Sequence, residues 1–143
     1  MRKGFTLIEL LIVVAIIGLL ASVVLVGLGG FRARGRDARR IADLRETQNA
    51  LELYYTKNNA YPSNISNWSE LKTALINAGI GITTISNDPL SAETYVYSVT
   101  TSPYQNYVLK AKLEDSNNPA LKDDVDGPVY SIDCDDPAYC VQF

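Results

Sequence analysis

The strongest constraint on this chain is a run of 19 residues, 10–28, with no charged side chain and a single polar one, Ser22. As an α-helix, such a run is about 28 Å long, which matches the hydrocarbon thickness of a bilayer. A carboxylate, Glu9, stands directly before the run. Burying a carboxylate at mid-bilayer costs at least about 2.5 kcal/mol, and less near the interface. The sequence therefore predicts a membrane helix whose charged first turn requires an explanation.

The apolar run continues into a basic segment and then into a helical stripe. Five arginines lie between Arg32 and Arg40, and apolar residues then recur at spacings of three and four. This pattern predicts one helix from Phe5 to about Lys57, some 53 residues and roughly 80 Å long, with an amphipathic second half. The stripe consists of Ile41, Leu44, Gln48, Leu51 and Tyr55.

A second, shorter helix is predicted in the remainder of the chain. Pro62 ends the long helix, because proline disfavours helical conformation in the residue before it. The short helix is expected from Trp68 to Ala78, since Asn67 and Glu70 have the spacing of a capping box.

Three strands are predicted after the second helix. The segments ETYVYSVT and NYVLKAKLE alternate with a period of two and predict an antiparallel hairpin. The segment PVYSID, from Pro128, is expected to complete a three-strand meander against the long helix. The fold class is therefore α+β.

Charge and composition restrict the function. Of 13 Lys/Arg and 16 Asp/Glu, residues 1–59 hold nine and five, whereas residues 60–143 hold four and eleven. The acidic C-terminal part disfavours nucleic acid as a partner, because phosphate binding needs a cationic face. The absence of histidine removes Ser-His and Cys-His nucleophile pairs and imidazole metal ligands. No catalytic constellation is found, so the prediction is a protein that is not an enzyme.

Signals for the orientation in a membrane conflict. The arginines after the apolar run outnumber Arg2 and Lys3 before it, which by charge alone places the C-terminal part in the cytoplasm. Cys134 and Cys140, in contrast, indicate a disulfide in an oxidising compartment, with two free thiols as the alternative.

The stretch KGFTLIELLIVVAIIGLLA resembles the leader and N-terminal helix of bacterial type IV pilins and type II secretion pseudopilins. In that family a prepilin peptidase cuts after the glycine that matches Gly4 and methylates the new N-terminus, here Phe5. The glutamate that matches Glu9 then acts in assembly. The resemblance implies that Glu9 of one subunit pairs with the Phe5 ammonium of the next; snorkelling of Glu9 to the headgroups is the alternative.

The resemblance also implies a pilin-like lollipop with four segments. Residues 1–4 are the expected leader, 5–31 the transmembrane and assembly helix, 32–58 the amphipathic half, and 59–143 the head with its C-terminal disulfide loop. The expected location is a single-pass cell membrane, with the N-terminus cytoplasmic and the head outside. After assembly, the protein is expected in a surface filament or a periplasmic pseudopilus.

The expected partners follow from the same resemblance. They are further copies in a helical filament, the prepilin peptidase, an inner-membrane assembly platform and, before assembly, the membrane. Many pilins have a proline near Val26, but here the first is Pro62. Glycines are therefore the candidate weak points where the helix unwinds in a filament. These are Gly18, Gly27, Gly29 and Gly30.

The C-terminal segment is rich in aspartate: Asp123, Asp124, Asp126, Asp133, Asp135 and Asp136. The sequence from Asp124 to Gly127 resembles the start of a calcium loop but lacks the other ligands of an EF-hand. Some major pseudopilins bind calcium in their C-terminal loop. The candidate calcium ligands are Asp124, Asp126, Asp133 and Asp135; a solvated, turn-rich surface is the alternative.

The arginines from Arg32 to Arg40 allow three interpretations. They form a solvated neck at anionic headgroups, pair with acidic residues of adjacent subunits, or contact DNA, of which the last is disfavoured. The leading function is a structural subunit of a type IV pilus-like filament. The alternatives are a type II secretion pseudopilin and a membrane-anchored binding module that does not polymerise.

Overall fold

The computed structural model describes residues 4–143, except for the side chains of residues 25–28. Its elements are α1 (Leu7–Asn58), α2 (Trp68–Asn77), β1 (Val96–Val99), β2 (Tyr107–Lys112), a 3₁₀ helix (Pro119–Lys122), β3 (Pro128–Val129), β4 (Ile132–Asp133) and β5 (Ala138–Gln142). The α+β class is confirmed, with a long N-terminal helix and a small antiparallel sheet. The predicted leader falls mainly on residues 1–3, outside the described residues.

The chain divides into two compact units, residues 1–33 and residues 34–143. The first contains the beginning of α1, whose apolar side chains between Leu7 and Val24 are exposed. Ser22, the polar residue in this stretch, donates its hydroxyl to the Leu19 carbonyl oxygen at 2.7 Å. Because this hydroxyl is satisfied within the helix, it adds little to the cost of placing the helix in lipid. By length and composition, α1 can cross a membrane.

The second unit is built on a sheet with strand order β1-β2-β5. Leu109 of the central strand β2 lies opposite Tyr97 of β1 and Val141 of β5. The amphipathic half of α1 supplies Leu44 and Leu51, both fully buried in the same core as Leu109. The predicted stripe of α1 and the predicted alternation of β2 therefore both contribute to this core.

The predicted three-strand meander is wrong in its third strand. The segment PVYSID does not join the sheet but forms a separate hairpin of β3 and β4, and β5 takes the third place. Tyr130 and Ser131 have φ values of 45° and 68°, as required at the two central positions of a tight hairpin turn. A turn at these residues interrupts the segment that was expected to be one strand.

The short helix α2 begins and ends as predicted, within one residue. The Asn67 side chain accepts the Glu70 N–H at 3.0 Å, and a Glu70 carboxylate oxygen accepts the Ser66 N–H at 2.7 Å. Gly79, with φ of 64°, follows the helix end in the left-handed conformation that glycine adopts readily. The buried face consists of Trp68, Leu71 and Leu75.

Candidate processing and assembly site

The first turn of α1 contains a reciprocal capping box between Thr6 and Glu9. A Glu9 carboxylate oxygen accepts the Thr6 N–H at 2.8 Å and the Thr6 hydroxyl at 2.7 Å. The Glu9 N–H donates in return to the Thr6 hydroxyl oxygen at 3.3 Å. Sequence analysis overlooked this function of Glu9, although the Thr-x-x-Glu spacing at a helix start is a signal for it. Glu9 therefore has a partner within its own chain.

The residues before this cap are open to solvent. The Phe5 side chain is 88% exposed. A Cβ atom added at Gly4 would meet nothing within 4 Å, so packing does not require glycine at this position. The structure thus places Gly4 and Phe5 in an accessible stretch directly before the cap.

Arg40 lies at the centre of a buried ion cluster that the sequence did not predict. Its Nε and Nη2 donate to the two carboxylate oxygens of Asp88 at 2.7 and 2.9 Å. Its Nη1 donates to Asp37 at 2.8 Å and to Glu114 at 2.7 Å. The Arg40 side chain is fully buried, as is that of Asp37. Interpreting this segment as a solvated neck is therefore wrong for Arg40, whose charge is compensated within its own chain.

The same cluster attaches α1 to the end of β2. Asp37 accepts the backbone N–H groups of Glu114 and Asp115, each at 2.9 Å. Arg36 adds a bidentate pair with Glu114, at 2.7 and 2.6 Å. We call Arg36, Asp37, Arg40, Asp88 and Glu114 the Arg40 cluster. It joins α1, the loop before β1 and the chain after β2.

The cluster shifts the pKa values of Glu114 and Arg40 in the direction that keeps these two groups charged. Hydrogen bonds from Arg36 lower the pKa of Glu114 to about 2, although burial opposes this shift. Hydrogen bonds to Asp88, followed by those to Glu114 and Asp37, raise the pKa of Arg40, again against burial. These groups therefore stay ionised at neutral pH.

The C-terminal loop is fixed by a disulfide between Cys134 and Cys140, whose Cα atoms are 5.8 Å apart. Both cysteines are buried against Val108, which lies on the face of β2 opposite the main core. Asp124 joins this region because one of its carboxylate oxygens accepts the Cys140 N–H at 2.8 Å. The predicted cysteine pair is present, and it covers the second face of the sheet.

Three carboxylates of this loop converge. Single oxygens of Asp124, Asp126 and Asp136 lie within 4.8 Å of one another. The Asp124 oxygen that does not accept the Cys140 N–H is buried and has no hydrogen-bond partner among the described residues. Burial raises the pKa of Asp124. Two of the four predicted calcium ligands are thus brought together, and Asp136 joins them.

Asp133 and Asp135, the other two predicted ligands, do not belong to this group. An Asp133 carboxylate oxygen instead accepts the Asp135 N–H at 3.1 Å, which forms a local turn. Two oxygens on opposite sides of a calcium ion are separated by about 4.8 Å, since each bond is about 2.4 Å long. The spacing of Asp124, Asp126 and Asp136 would therefore allow the three carboxylates to share one calcium ion.

Comparisons with known proteins each cover only part of the chain. A family model for the prokaryotic N-terminal methylation motif matches residues 1–25. Type II secretion system core protein G of Aeromonas hydrophila is 37% identical over 62 residues, which is 43% of this chain and 43% of that protein. Type IV wide pilus major component PilA4 of Thermus thermophilus is 44% identical over 78 residues, 54% of each chain.

A third relative is the fimbrial protein of Neisseria meningitidis serogroup A, 41% identical over 64 residues, 45% of this chain and 38% of that protein. The chain thus spans about half the length of the curated relatives it matches. No solved structure matches it significantly. The chain therefore carries the prokaryotic N-terminal methylation motif at residues 1–25 and is similar over about half of its length to type II secretion system core proteins G and to a type IV pilus component.

Proposed function

We propose that the chain is a structural subunit of a type IV pilus-like filament and that it polymerises through the first half of α1. The observation that carries this proposal is the exposed apolar surface of α1 between Leu7 and Val24, within and next to the methylation motif of residues 1–25. An apolar helix of this length is buried only by lipid or by other helices. A filament subunit uses lipid before assembly and other copies afterwards. The proposed role is structural and not catalytic.

Processing precedes polymerisation in this proposal. A prepilin peptidase removes residues 1–4 and methylates the new N-terminus at Phe5. Support comes from Gly4, where neither packing nor a left-handed backbone conformation accounts for glycine. The requirement for glycine is then that of the peptidase. The exposure of Phe5 leaves the bond between the two residues accessible.

The cut creates the partner that Glu9 needs for assembly. Hydrolysis after Gly4 leaves an ammonium on Phe5, only one residue before the Thr6 cap. We propose that Glu9 exchanges its bonds to Thr6 for a charge-assisted bond to the Phe5 ammonium of the next copy. In a lipid-like surrounding this bond is stronger than in water, which favours insertion of a subunit into a stack.

The proposed location follows from the same functional assignment. Before assembly the chain spans the cell membrane once through α1, with the N-terminus cytoplasmic and the residues after the span outside. The disulfide between Cys134 and Cys140 supports an oxidising compartment for the C-terminal part. Assembly then requires an inner-membrane platform and gives either a surface filament or a periplasmic pseudopilus.

Replacing Gly4 tests the function. The Gly4→Val variant should retain its leader and form no filaments in a host with a prepilin peptidase, as measured by mass spectrometry and electron microscopy. The control is Thr73→Val, at an exposed position of α2 outside the polymerising part of α1, which should lose its leader and form filaments normally. A wild-type chain that keeps residues 1–4 and forms no filaments would instead identify a membrane-anchored binding module. Long surface filaments favour a pilus, and short periplasmic ones a secretion pseudopilus.

We further propose a calcium ion at Asp124, Asp126 and Asp136, supported by the converging oxygens and the unpartnered oxygen of Asp124. A cation there stabilises the folded state, because it binds only the assembled group. Millimolar calcium should therefore raise the melting temperature of the detergent-solubilised chain, and Asp126→Asn should abolish the rise. An equal rise with magnesium, or no rise at all, would contradict the site.

A further inference from the structure

In the N-terminal part of the second unit, α1 buries charged side chains and exposes small apolar ones. Along α1 the buried side includes Asp37, Arg40 and Asp43, whereas Ala38 and Ala42 are exposed. A surface helix of a soluble domain normally shows the opposite arrangement, with charges outside and small apolar residues inside. The Arg40 cluster explains why charged residues lie on the buried side of α1. No contact among the described residues of one copy explains why Ala38 and Ala42 are exposed.

The outer side is a shallow surface with basic edges. Helical periodicity places Ala38, Ala42 and Gly35 together, with Arg34 and Arg45 on one side of them and Arg39 on the other. The small residues leave room beside these side chains. We call these six residues the arginine trough.

The arginine side chains of the trough are largely exposed to solvent. The side chain of Arg34 is 71% exposed although it pairs with Asp115, and that of Arg39 is 58% exposed with a long 3.7 Å contact to Asp43. Arg45 is exposed and forms no ion pair with any residue in the described part of the chain. The trough is therefore an accessible surface with three exposed arginines, beside one exposed carboxylate, Glu46, on the same face of α1.

The C-terminal loop offers the complementary charge. Asp123, Asp133 and Asp135 are exposed, and none of them forms an ion pair with another described residue. The disulfide and the bond from the Cys140 N–H to Asp124 hold this loop in place. These three aspartates lie outside the proposed calcium group. Exposed aspartates in a disulfide-held loop and the exposed arginines of the trough thus occur on one chain without an ion pair joining them.

We infer that the arginine trough binds the acidic loop of a second copy. Two different, complementary surfaces on one chain make a head-to-tail contact, which generates an open helical assembly when repeated. A single exposed ion pair contributes little, but complementary charge sets the register between copies and excludes wrong arrangements. The inference rests on the proposed filament function and adds a contact outside the apolar half of α1.

A charge exchange tests this contact in the full-length chain. Arg45→Glu should lower the filament yield on the order of tenfold, because it places like charges opposite each other. The combination of Arg45→Glu with Asp123→Arg and Asp135→Arg should restore the yield. The control is Lys72→Glu, which makes the same charge change on α2, outside the trough, and should leave the yield unchanged.

Each outcome decides the inference. A normal yield from Arg45→Glu overturns it, and so does a loss that the charge exchange does not restore, which would indicate that lipid headgroups bind Arg45. A loss restored by the exchange supports it, provided that all variants keep the wild-type melting temperature in detergent. If the wild type itself forms no filaments, the proposed function fails, and this inference fails with it.

Discussion

Glu9 is the residue on which the proposed assembly depends, and it serves two purposes. In the structure it completes a capping box with Thr6, and in the proposed filament it meets the Phe5 ammonium of another copy. Replacement by alanine removes both functions at once. Glutamine separates them, because a glutamine at this position still forms a capping box but carries no charge.

We therefore predict that Glu9→Gln is processed and retained in the membrane but absent from filaments, as Glu9→Ala and Glu9→Val should be. Immunoblots of membrane and sheared-filament fractions measure this. Thr6→Ala is the control, since it weakens the cap by about 1 kcal/mol and leaves the charge in place; it should still enter filaments. Wild-type filament levels from Glu9→Gln would show that the cap, and not the charge, is what assembly uses.

Arg40 is the second residue with a decisive function, here for stability. Arg40→Met should destabilise the fold by about 3–5 kcal/mol, because it leaves the buried carboxylates of Asp37 and Asp88 without a cation. Urea denaturation of the detergent-solubilised chain, followed by near-UV circular dichroism, measures the change. Arg45→Met, at an exposed position of the same helix, should stay within about 0.5 kcal/mol of wild type. Equal effects of the two variants would contradict a structural function of the cluster.

Among the elements, α2 begins at an N-cap that the Asn67 side chain provides. The Asn67 side chain accepts the Glu70 N–H, and its Nδ2 donates to a Glu70 carboxylate oxygen at 2.8 Å. Asn67→Ala should cost about 1 kcal/mol of stability, since the cap is lost. Asn67→Ser, which keeps an acceptor oxygen and adds no negative charge beside Glu70, should cost less. Melting temperatures test this order, and equal values for the two variants would contradict a contribution from the cap.

A comparison of β2 and β5 explains why the sequence predicted the first strand and not the second. In β2 the side chains of Tyr107, Leu109 and Ala111 face the main core. On the other face Val108 is buried, but Lys110 is only half-buried and Lys112 is exposed, and these two lysines give the alternation that a sequence reveals. In β5 the three consecutive residues Ala138–Cys140 are all buried. One face of β5 meets the main core and the other meets the disulfide region. Residues 138–141 of β5 include no charged side chain that would mark one face, as Lys110 and Lys112 do in β2, so the sequence shows no period of two there and β5 was overlooked.

At the scale of the whole molecule, the Arg40 cluster makes the stability of the fold depend on pH. The pKa of Glu114 is about 2 in the folded chain, below its ordinary value of 4.5. Its ionised form therefore stabilises the fold above about pH 4.5, and this contribution is lost as the pH falls towards about 2. We predict a falling melting temperature over that range. Glu114→Gln should be less stable at neutral pH and show a flatter profile; a profile as steep as that of wild type would assign the acid sensitivity to other carboxylates.

The sequence by itself determined the features that depend on neighbouring residues. The apolar run, the stripe of α1, the cap of α2 and the alternation of β2 all follow from spacings of two to four residues. The methylation motif of residues 1–25 belongs to the same class, because it is made of consecutive residues.

Only the tertiary structure decided which distant groups meet. Arg40 reaches Asp88 across 48 positions and Glu114 across 74, and Asp37 reaches the Asp115 N–H across 78. A basic segment that looks solvated in the sequence therefore contains a buried arginine. Likewise, Asp136 joins Asp124 and Asp126 because the chain folds back at the disulfide. No local pattern encodes such contacts, since their partners are chosen by how the helix and the sheet pack together.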